Sequence, residues 1–584
     1  MTFKEFQALL RRRFNIPKER PIRRTILSFT LAERTVFYSF VAVFVLTGFS
    51  MLWKVSEAYL TSVPIEGGSL TEGVVGNPRF INPVLALSEA DKNLTALIYS
   101  GLVRVTTEGE VVNDLASEIN ISENRLTYTV TINAEASFQD GTLVTADDVV
   151  FTVQKITDPL IKSPRRGNWE GVSVEKVDDK TVRFTLKKAY TPFIYNLTTG
   201  ILPKHIWKNV TDDEFSFSQF NTLPVGSGPY QVERVERNDG GIPNYYKLTP
   251  FENVLGAKPY IRNLIFRFYS SEETLIKAYN NHDVESVGGI SPESLSELEI
   301  GGAQVLHSPL TRIFAVFLNQ NQSKVLLDKS VRQALELTAP KEEIVETVLN
   351  GYGTAIDGPL PAGIYPLDTL EIKEATSTAV LEQAQKILTD GGWKLNADGV
   401  LEKKSGSATM TLSFSISTGD APELKSVAEE LSKAWQKLGA RVEILVYEPG
   451  ELNQSVIRPR HFDALLFGEV VGREADLYTF WHSSQRNDPG LNIALYANSR
   501  ADKLLEEART AASRSVAEEN YQSFNEELKK DLPAIFLYSP NYLYTVPTKI
   551  KSIDLGSLSV SQDRFLGIRD WYVETDKVWK LFLN

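Results

Sequence analysis

The sequence contains no cysteine in its 584 residues. Disulfides, a cysteine nucleophile, thiolate metal sites and an anchor through a lipid-modified cysteine are therefore excluded. Histidine is scarce as well, with five copies, and no two of them show the H-x-x-x-H spacing of many metal sites. The chain also lacks the G-x-x-x-x-G-K-[ST] phosphate loop and the G-x-S-x-G turn of many hydrolases. We expect no enzyme activity, no metal and no cofactor.

Length and composition are those of a large globular protein. At 584 residues the chain is too long for one domain, and 42% hydrophobic with 23% charged residues predicts a sizeable core. Acidic residues outnumber basic ones by 74 to 62, which gives a net charge of −12. This acidic balance argues against nucleic-acid binding.

One long uncharged run lies near the beginning of the sequence. Residues 35–53 would span about 28 Å as a helix, and nine basic against three acidic residues precede them. The positive-inside rule predicts a single-pass helix in the cell membrane, with residues 1–34 as a basic cytoplasmic arm. Residues 54–68 then form a tether, with Pro64 as a helix breaker, and the remainder is extracytoplasmic. A cleaved signal peptide is the alternative, although the run is longer than a usual signal core and no A-x-A site follows.

Strands and helices alternate after the tether. In residues 138–152, FQDGTLVTADDVVFT, Asp140 and Gly141 signal a turn and Thr145 caps a short helix. Asp328 caps another amphipathic helix. Residues 409–447 show a strand, a helix and a second strand, a crossover that builds parallel sheets. The pattern indicates an α/β protein.

Several sequence blocks, in their residues and in their order along the chain, resemble those of the solute-binding proteins of oligopeptide and dipeptide ABC importers (family 5, periplasmic peptide-binding type). The block 138–152 is the most informative. The other similar blocks are NPRFINP at 77–83, IYSGLVR at 98–104, GSGPY at 226–230, DKSVRQALELTAPKEEIVETVLNGYGTAIDGPLP at 328–361, GGW at 391–393 and PAIFLY at 533–538.

The resemblance implies a two-lobed, three-domain periplasmic-binding-protein-like fold with a hinge and a central cleft. The hinge would lie near Thr311 and Tyr538. The expected boundaries are 69–106, 222–310 and 538–584 for domain I, 107–221 for domain II and 311–537 for domain III.

The resemblance also implies a function. The chain would be the membrane-anchored, extracytoplasmic substrate-binding component of an ABC transporter. It would close on a peptide, or on another small solute, and deliver it to permease and ATPase subunits. Two alternatives keep other roles open: a tethered ligand sensor or scaffold on the same fold, and an extracellular hydrolase.

Peptide-binding relatives pair the ligand's ammonium with an aspartate in the loop that follows the strand at residues 462–467 here. This loop reads GEVVGREADLYTFW, and its carboxylates are Glu469, Glu474 and Asp476. Glu469 follows the strand directly and is the preferred amine anchor, because a buried ammonium needs a carboxylate partner. Asp476 precedes a short helix and is interpreted first as its cap.

The remaining candidate ligand-binding residues come from three places, and an ordinary surface or core role is the alternative for each. They are Phe80 and Asn82 in the first block, Asn319 and Asn321 after the strand at 313–318, Arg473 as a partner for a carboxylate terminus, and Trp481 as an apolar wall.

Overall fold

The computed structural model describes residues 26–361, 364, 378–406, 408–473 and 475–579. Its main helices are α1 (Leu31–Tyr59), α2 (Glu89–Ile98), α3 (Ala146–Thr157), α4 (Lys204–Trp207), α5 (Glu272–Asn280), α6 (Lys329–Leu337), α7 (Lys341–Thr347), α8 (Thr378–Asp390), α9 (Pro422–Lys437), α10 (Tyr478–Trp481), α11 (Ser499–Arg509) and α12 (Arg514–Asp531).

The strands follow the same chain order. They are β1 (Leu60–Ile65), β2 (Gly67–Val75), β3 (Val103–Val105), β4 (Val111–Asn113), β5 (Ala116–Ile121), β6 (Thr127–Ile132), β7 (Val172–Lys176), β8 (Thr181–Leu186), β9 (Tyr230–Arg237), β10 (Pro243–Pro250), β11 (Ile261–Tyr269), β12 (Ser286–Gly288), β13 (Ala303–Pro309), β14 (Arg312–Leu318), β15 (Gly353–Ala355), β16 (Lys394–Leu395), β17 (Leu401–Ser405), β18 (Ala408–Thr411), β19 (Ser413–Gly419), β20 (Arg441–Tyr447), β21 (Ala464–Val470), β22 (Ala534–Pro547) and β23 (Glu574–Trp579).

One compact unit contains α1, β1 and β23. Within α1, Leu31–Met51 is long and apolar enough to cross a membrane by length and composition, and no part of it is buried. The helix continues to Tyr59, and β1 then pairs antiparallel with β23. The predicted tether is therefore ordered secondary structure. Local sequence could not show this, because the pairing partner lies more than 500 residues away in the chain.

The second unit, residues 66–573, is built on one large sheet. Twelve of the described strands form it, in the order β20-β19-β21-β14-β22-β12-β2-β11-β10-β9, with β13 and β15 also paired to β22. The first part of β22 pairs with β14, and its last part pairs with β12 and β13. A single strand thus runs through both halves of this unit.

Separate hydrophobic cores surround the two halves of β22 and define two lobes. The cores of the first lobe draw on residues between 70 and 298 and on residues 542–571. Those of the second lobe draw on residues 313–538. We refer to residues 66–310 and 539–573 as the first lobe, and to residues 311–538 as the second.

The block 138–152 folds as its sequence predicts, within the first lobe. Gly141 has a φ of +86° at the turn, and Thr145 is the N-cap residue of α3. The Asp148 carboxylate accepts a hydrogen bond from the backbone N–H of Thr145 at 2.9 Å, which closes a capping box. The helix lies beside a four-stranded sheet ordered β5-β6-β8-β7.

The two predictions for the second lobe are also confirmed. The carboxylate of Asp328 accepts a hydrogen bond from the Ser330 N–H at 3.0 Å and caps α6. Strands β19 and β20 are parallel and are joined by α9. Residues 409–411, which were expected to begin the first strand of this crossover, belong instead to the separate strand β18, which pairs with β17.

The glycines of the GSGPY block are explained by close packing. A Cβ atom at Gly226 would lie 2.0 Å from the carbonyl oxygen of Ile98, and one at Gly228 would lie 2.6 Å from the Leu97 carbonyl oxygen. No side chain fits there. The turn therefore packs against the end of α2, where the IYSGLVR block begins.

Candidate functional site: the junction of the two lobes

The end of β21 meets the point where the chain passes between the lobes. Glu469 of β21 pairs with Ile313 of β14. The Val471 N–H donates to the Thr311 carbonyl at 3.0 Å, and the Thr311 N–H donates to the Leu558 carbonyl of the first lobe at 2.8 Å. Glu469 is therefore held by backbone pairing within two residues of the lobe junction.

The Glu469 side chain is buried, with 4% of its surface exposed. Neither of its carboxylate oxygens has a hydrogen-bonding partner among the described residues. Burial raises the pKa of this carboxyl well above its usual range. An ionised carboxylate in such a place is costly unless a cation pairs with it. The site is therefore suited to receive a positively charged ligand group.

Other unsatisfied polar atoms lie within twelve residues of Glu469 in the sequence. Nη1 of Arg473, Oδ1 of Asp476 and Nε1 of Trp481 are all buried without a hydrogen-bonding partner in the described part of the chain. Buried polar atoms are nearly always paired in folded proteins, so these unpaired atoms make the loop a candidate site. Three of these four residues are charged.

Arg473 connects this loop with the first lobe. Its Nη2 donates to the Ser557 carbonyl at 2.5 Å and lies 3.2 Å from Oδ2 of Asp563. A Cβ atom added at Gly109 would be 3.8 Å from Nη1, so the unpaired end also faces the first lobe. One end of the guanidinium therefore joins the lobes, and Nη1 has no hydrogen-bonding partner among the described residues; a contact with a ligand carboxylate stays a prediction.

Asp476 has a different main partner from the one the sequence suggests. Its Oδ2 accepts from Nη2 of Arg509 at 2.8 Å, and the N-cap position of α10 is Leu477. The Arg509 guanidinium lies between two aromatic rings, 4.8 Å from the ring centre of Tyr190 and 4.3 Å from that of Tyr478. Tyr190 belongs to the first lobe, so Asp476 supports a cation–π contact across the junction.

Trp481 lies in the core of the second lobe. It is fully buried, and its ring packs against Phe317, Phe524 and Phe536 at centroid distances of 5.6–6.4 Å. This packing explains the burial of the ring without a ligand. A ligand contact through Trp481 stays a prediction.

Asn319 and Asn321 follow the end of β14 that lies away from the lobe junction. The chain enters β14 at the lobe junction, so Ile313 lies beside Glu469, and Asn319 is about 20 Å further along at roughly 3.3 Å per residue. The Asn319 Nδ2 donates to the Arg460 carbonyl at 2.8 Å, which gives this buried side chain a structural role. Asn321 is exposed. Ligand contacts by Asn319 and Asn321 stay predictions.

The two first-lobe candidates, Asn82 and Phe80, both contact other residues of that lobe. Nδ2 of buried Asn82 donates to Oδ1 of Asn221 at 3.0 Å, and its own Oδ1 accepts from the Val84 N–H at 2.9 Å. Phe80 is half-buried against the first-lobe core. Ligand contacts by these two residues stay predictions. Glu474, the remaining candidate, lies outside the described residues.

Sequence reasoning missed most residues that bridge the lobes. Arg125 of the first lobe donates from Nη1 to the Ala511 carbonyl at 2.6 Å and from Nη2 to the Ala512 carbonyl at 2.5 Å. Thr191 Oγ1 donates to the same Ala511 oxygen at 3.0 Å. No local signal could reveal these contacts, because each joins residues hundreds of positions apart.

Comparisons with known proteins agree with the fold. The family described as bacterial extracellular solute-binding proteins, family 5 (middle), matches residues 110–492. The oligopeptide-binding protein AppA of Bacillus subtilis is 28% identical over 84% of this chain and 89% of its own length. Its structure in complex with a nonapeptide has a TM-score of 0.66 at 27% identity, covering 88% of this chain and 100% of that one. The structure of NikZ from Campylobacter jejuni in complex with Ni(L-His) has a TM-score of 0.67 at 25% identity, covering 86% and 99%.

The fold is thus an α/β fold of the periplasmic peptide-binding type, as predicted. The chain belongs to the bacterial extracellular solute-binding proteins of family 5. It is a substrate-binding protein of the peptide ABC-importer family.

Proposed function

We propose that this chain binds peptides between its two lobes and that Glu469 receives the peptide's ammonium group. The observation that carries the proposal is the Glu469 carboxylate, which is buried at the junction with both oxygens unpaired among the described residues. Peptide backbones carry no sequence code, so a receptor of this kind fixes the terminus by charge and the chain by main-chain hydrogen bonds. The known ligand of AppA, a nonapeptide, supports the ligand class.

The mechanism that follows is closure on the ligand, with residues near Thr311 and Tyr538 as the hinge. Domain II and most of domain I, with the boundaries given above, would form the first lobe, and domain III would form the second. Arg473, Arg509 and Arg125 all reach across the junction, so they stabilise the arrangement in which the lobes are in contact. The closed form would then be recognised by a membrane-embedded ABC permease. The role is binding and delivery, with no chemical step.

We also infer that α1 anchors the protein in the cell membrane without cleavage, with its basic arm in the cytoplasm. The exposure and apolar composition of Leu31–Met51 support a lipid environment. Mass spectrometry of the protein extracted from membranes should find residues 1–34 attached. A mature chain that starts after residue 53 would contradict the anchor and indicate a signal peptide.

The test of ligand binding uses Glu469→Gln and isothermal titration calorimetry with peptides of graded length. Each peptide is offered with a free and with an acetylated amino terminus. Removing one partner of a buried charge pair costs about 2–5 kcal/mol, so binding of the free peptides should weaken by roughly thirtyfold or more. Acetylated peptides should already bind weakly to the unmodified protein.

The matched control is Glu443→Gln, an exposed strand glutamate of the same lobe, which should bind as the unmodified protein does. If Glu469→Gln binds free peptides with unchanged affinity, Glu469 is not the amine anchor. If no peptide binds to either protein, the ligand class itself is wrong, and a metal complex or other small solute becomes the next candidate.

A further inference from the structure

Arg312 is the first residue of β14 and lies directly after the lobe junction. It pairs with Val470 of β21, and the next residue, Ile313, pairs with Glu469. On the other side of β14, the hydroxyl of buried Ser539 in β22 donates to the Arg312 carbonyl at 2.8 Å. The backbone that carries the Arg312 side chain is therefore fixed by both neighbouring strands.

The guanidinium of Arg312 lacks an anionic partner of its own. Its Nε is buried and has no hydrogen-bonding partner among the described residues. Burial lowers the pKa of Arg312, and Glu423 is the carboxylate whose charge opposes this shift. Oε1 of Glu423 already accepts from the Tyr538 hydroxyl at 2.7 Å. An arginine keeps its charge even when buried, so an anion supplied by a ligand would stabilise this side chain.

The two most deeply buried arginines of the described chain differ from Arg312 in this respect. Arg332 donates three hydrogen bonds to backbone carbonyls. Arg564 forms the buried ion pair with Glu72. Buried donors are normally satisfied in this way when their role is structural. In the part of the chain that the structure describes, no comparable bond holds the Arg312 guanidinium, which distinguishes it from a structural arginine.

Arg312 also lies at the edge of the sheet where ligands are expected. Strands β20 and β21 are both parallel to β19, and β19 and β20 end at Gly419 and Tyr447 on the side of the lobe junction. Helix α9 starts at Pro422 on that side, with Glu423 in its first turn. In α/β sheets, ligands bind in the crevice outside the carboxyl ends of parallel strands. Because β14 is antiparallel to β21, its first residue, Arg312, lies at this edge.

The positions of Arg312 and Glu469 favour an extended ligand. Side chains alternate between the faces of a strand, and Glu469 is opposite Ile313, so the two charged side chains leave opposite faces of the sheet. The ammonium and carboxylate of a single amino acid share one carbon atom and are too close together to meet both. In a peptide these groups are separated by one or more residues. The planar guanidinium matches a carboxylate in particular, because it can donate two parallel hydrogen bonds to it.

We propose that Arg312 binds a carboxylate of the peptide ligand, which is either the carboxyl terminus or an acidic side chain. The inference rests on the proposed function, a peptide held at the lobe junction, but it does not require Glu469 to be the ammonium partner. Arg473, the candidate that the sequence suggests for this contact, already donates from Nη2 to the Ser557 carbonyl.

The test is isothermal titration calorimetry with peptides of two to nine residues that contain no aspartate or glutamate. Each peptide is offered as the free acid and as the carboxamide. The unmodified protein should bind the acid roughly tenfold to hundredfold more tightly than the amide, as expected for hydrogen bonds to a charged group. Arg312→Gln should bind the acid as weakly as the amide. Arg312→Lys keeps the charge but not the planar fork, so it should keep only part of the preference.

The matched control is Arg441→Gln, because Arg441 is an exposed arginine at the opposite end of the same sheet. This variant should keep the full preference for the acid. A second set of peptides, all amidated, carries one glutamate or one glutamine. A preference for glutamate that disappears in Arg312→Gln would assign the contact to a side-chain carboxylate, whereas a preference confined to the free acids would assign it to the carboxyl terminus.

Three results would overturn the inference. One is that the unmodified protein binds acids and amides, and glutamate and glutamine peptides, with equal affinity. Another is that Arg312→Gln weakens all peptides by the same factor, which would show a structural role. If Arg312→Gln does not fold, Arg312→Lys decides: a reduced preference supports the contact and an unchanged one overturns it. If no peptide binds to the unmodified protein, the proposed function has failed and this inference fails with it.

Discussion

Nη2 of Arg473 lies 3.2 Å from Oδ2 of Asp563, and this ion pair joins the two lobes. Both side chains are largely buried, with 9% and 15% of their side-chain surface exposed. The same Asp563 oxygen accepts a hydrogen bond from the Ser559 N–H at 2.8 Å, which fixes the carboxylate in place. Since the partners belong to different lobes, the pair exists only while the lobes are in contact, and it stabilises that arrangement.

Replacing Asp563 should therefore weaken ligand binding without removing the ligand site. Asp563→Asn keeps an oxygen for the Ser559 N–H and loses the charge that pairs with Arg473. Hydrogen bonds to charged groups contribute about 1.5–3 kcal/mol, so calorimetry should show roughly a tenfold to hundredfold loss of peptide affinity. The exposed Asp570→Asn serves as control. Equal affinities in the two variants would show that the ion pair does not contribute to closure.

The cation–π contact of Arg509 gives a second test of closure. Arg509→Lys keeps the positive charge beside Asp476 but loses the planar group that lies between Tyr190 and Tyr478. Such contacts are worth about 0.5–2 kcal/mol, so peptide affinity should fall by up to roughly thirtyfold. Small-angle X-ray scattering with saturating peptide should show a larger fraction of open molecules.

Two substitutions of Tyr190, in the first lobe, distinguish the contribution of its ring from that of its hydroxyl. Tyr190→Phe keeps the aromatic face but removes the hydroxyl that hydrogen-bonds to Asp476, whereas Tyr190→Leu removes both, so peptide affinity should fall less in Tyr190→Phe than in Tyr190→Leu. Strong loss in Tyr190→Phe would show that the hydroxyl, and not the ring, is what matters at this contact.

Peptide affinity should rise with pH through the raised pKa of Glu469. Burial raises this pKa in the unliganded protein, and a bound ammonium favours the ionised carboxylate, so binding releases a proton. Calorimetry in buffers of different ionisation enthalpy should detect this release. Glu469→Gln should abolish both the proton release and this part of the pH dependence. A release that persists in the variant would assign the titration to another group.

The same shift has a consequence for stability. The folded-state pKa of Glu469 lies above the unfolded value, so this group favours the folded protein at low pH. That contribution decreases as pH rises from the ordinary carboxyl range toward the raised pKa. Thermal denaturation of the unliganded protein should therefore show Glu469→Gln gaining stability relative to the unmodified protein as pH increases. A difference that does not vary with pH would contradict the burial of an ionisable carboxyl.

The first lobe contains a fully buried ion pair whose disruption should destabilise the fold. Oε1 of Glu72 accepts from Arg564 at 2.9 Å, and Oε2 accepts from the Tyr544 hydroxyl at 2.8 Å, with Arg564 and Glu72 exposed by only 1% and 0%. Glu72→Gln leaves the buried guanidinium without its anionic partner and should cost about 3–5 kcal/mol in the free energy of unfolding by urea.

Its control is Glu233→Gln, which removes the solvent-exposed pair with Lys247. Surface pairs contribute about 0–1 kcal/mol, so this variant should unfold close to the unmodified protein. Comparable losses in the two variants would show that burial does not set the strength of the Glu72 pair.

Local features of the fold could be predicted from the sequence because their physical causes are local. The Thr145 cap, the turn at Gly141 and the crossover at β19, α9 and β20 each depend on residues within one or two turns of chain. The pairing of β1 with β23 could not be predicted in this way. Residues 60–65 read as a linker, with Pro64 among them, and become a strand only through pairing with β23.

The site was predictable in part for a related reason. Glu469 stands out because a charged residue directly follows an apolar strand, and its burial agrees with that signal. The distance of Asn319 and Asn321 from Glu469 could not be predicted, because the sequence does not show which end of a strand faces the other lobe. The contacts of Arg125 and Arg509 join residues far apart in the sequence, so no local sequence pattern indicates them.

The strand β22, about 45 Å long at roughly 3.4 Å per residue, has a consequence for how this protein can be divided. Its first half pairs with β14 of the second lobe, and its second half pairs with β12 and β13 of the first lobe. Expression of either lobe as a separate fragment would remove the strand from one of the sheets, and the edge left behind would be open to pairing with other molecules. We therefore expect the two lobes to fold only as parts of one chain.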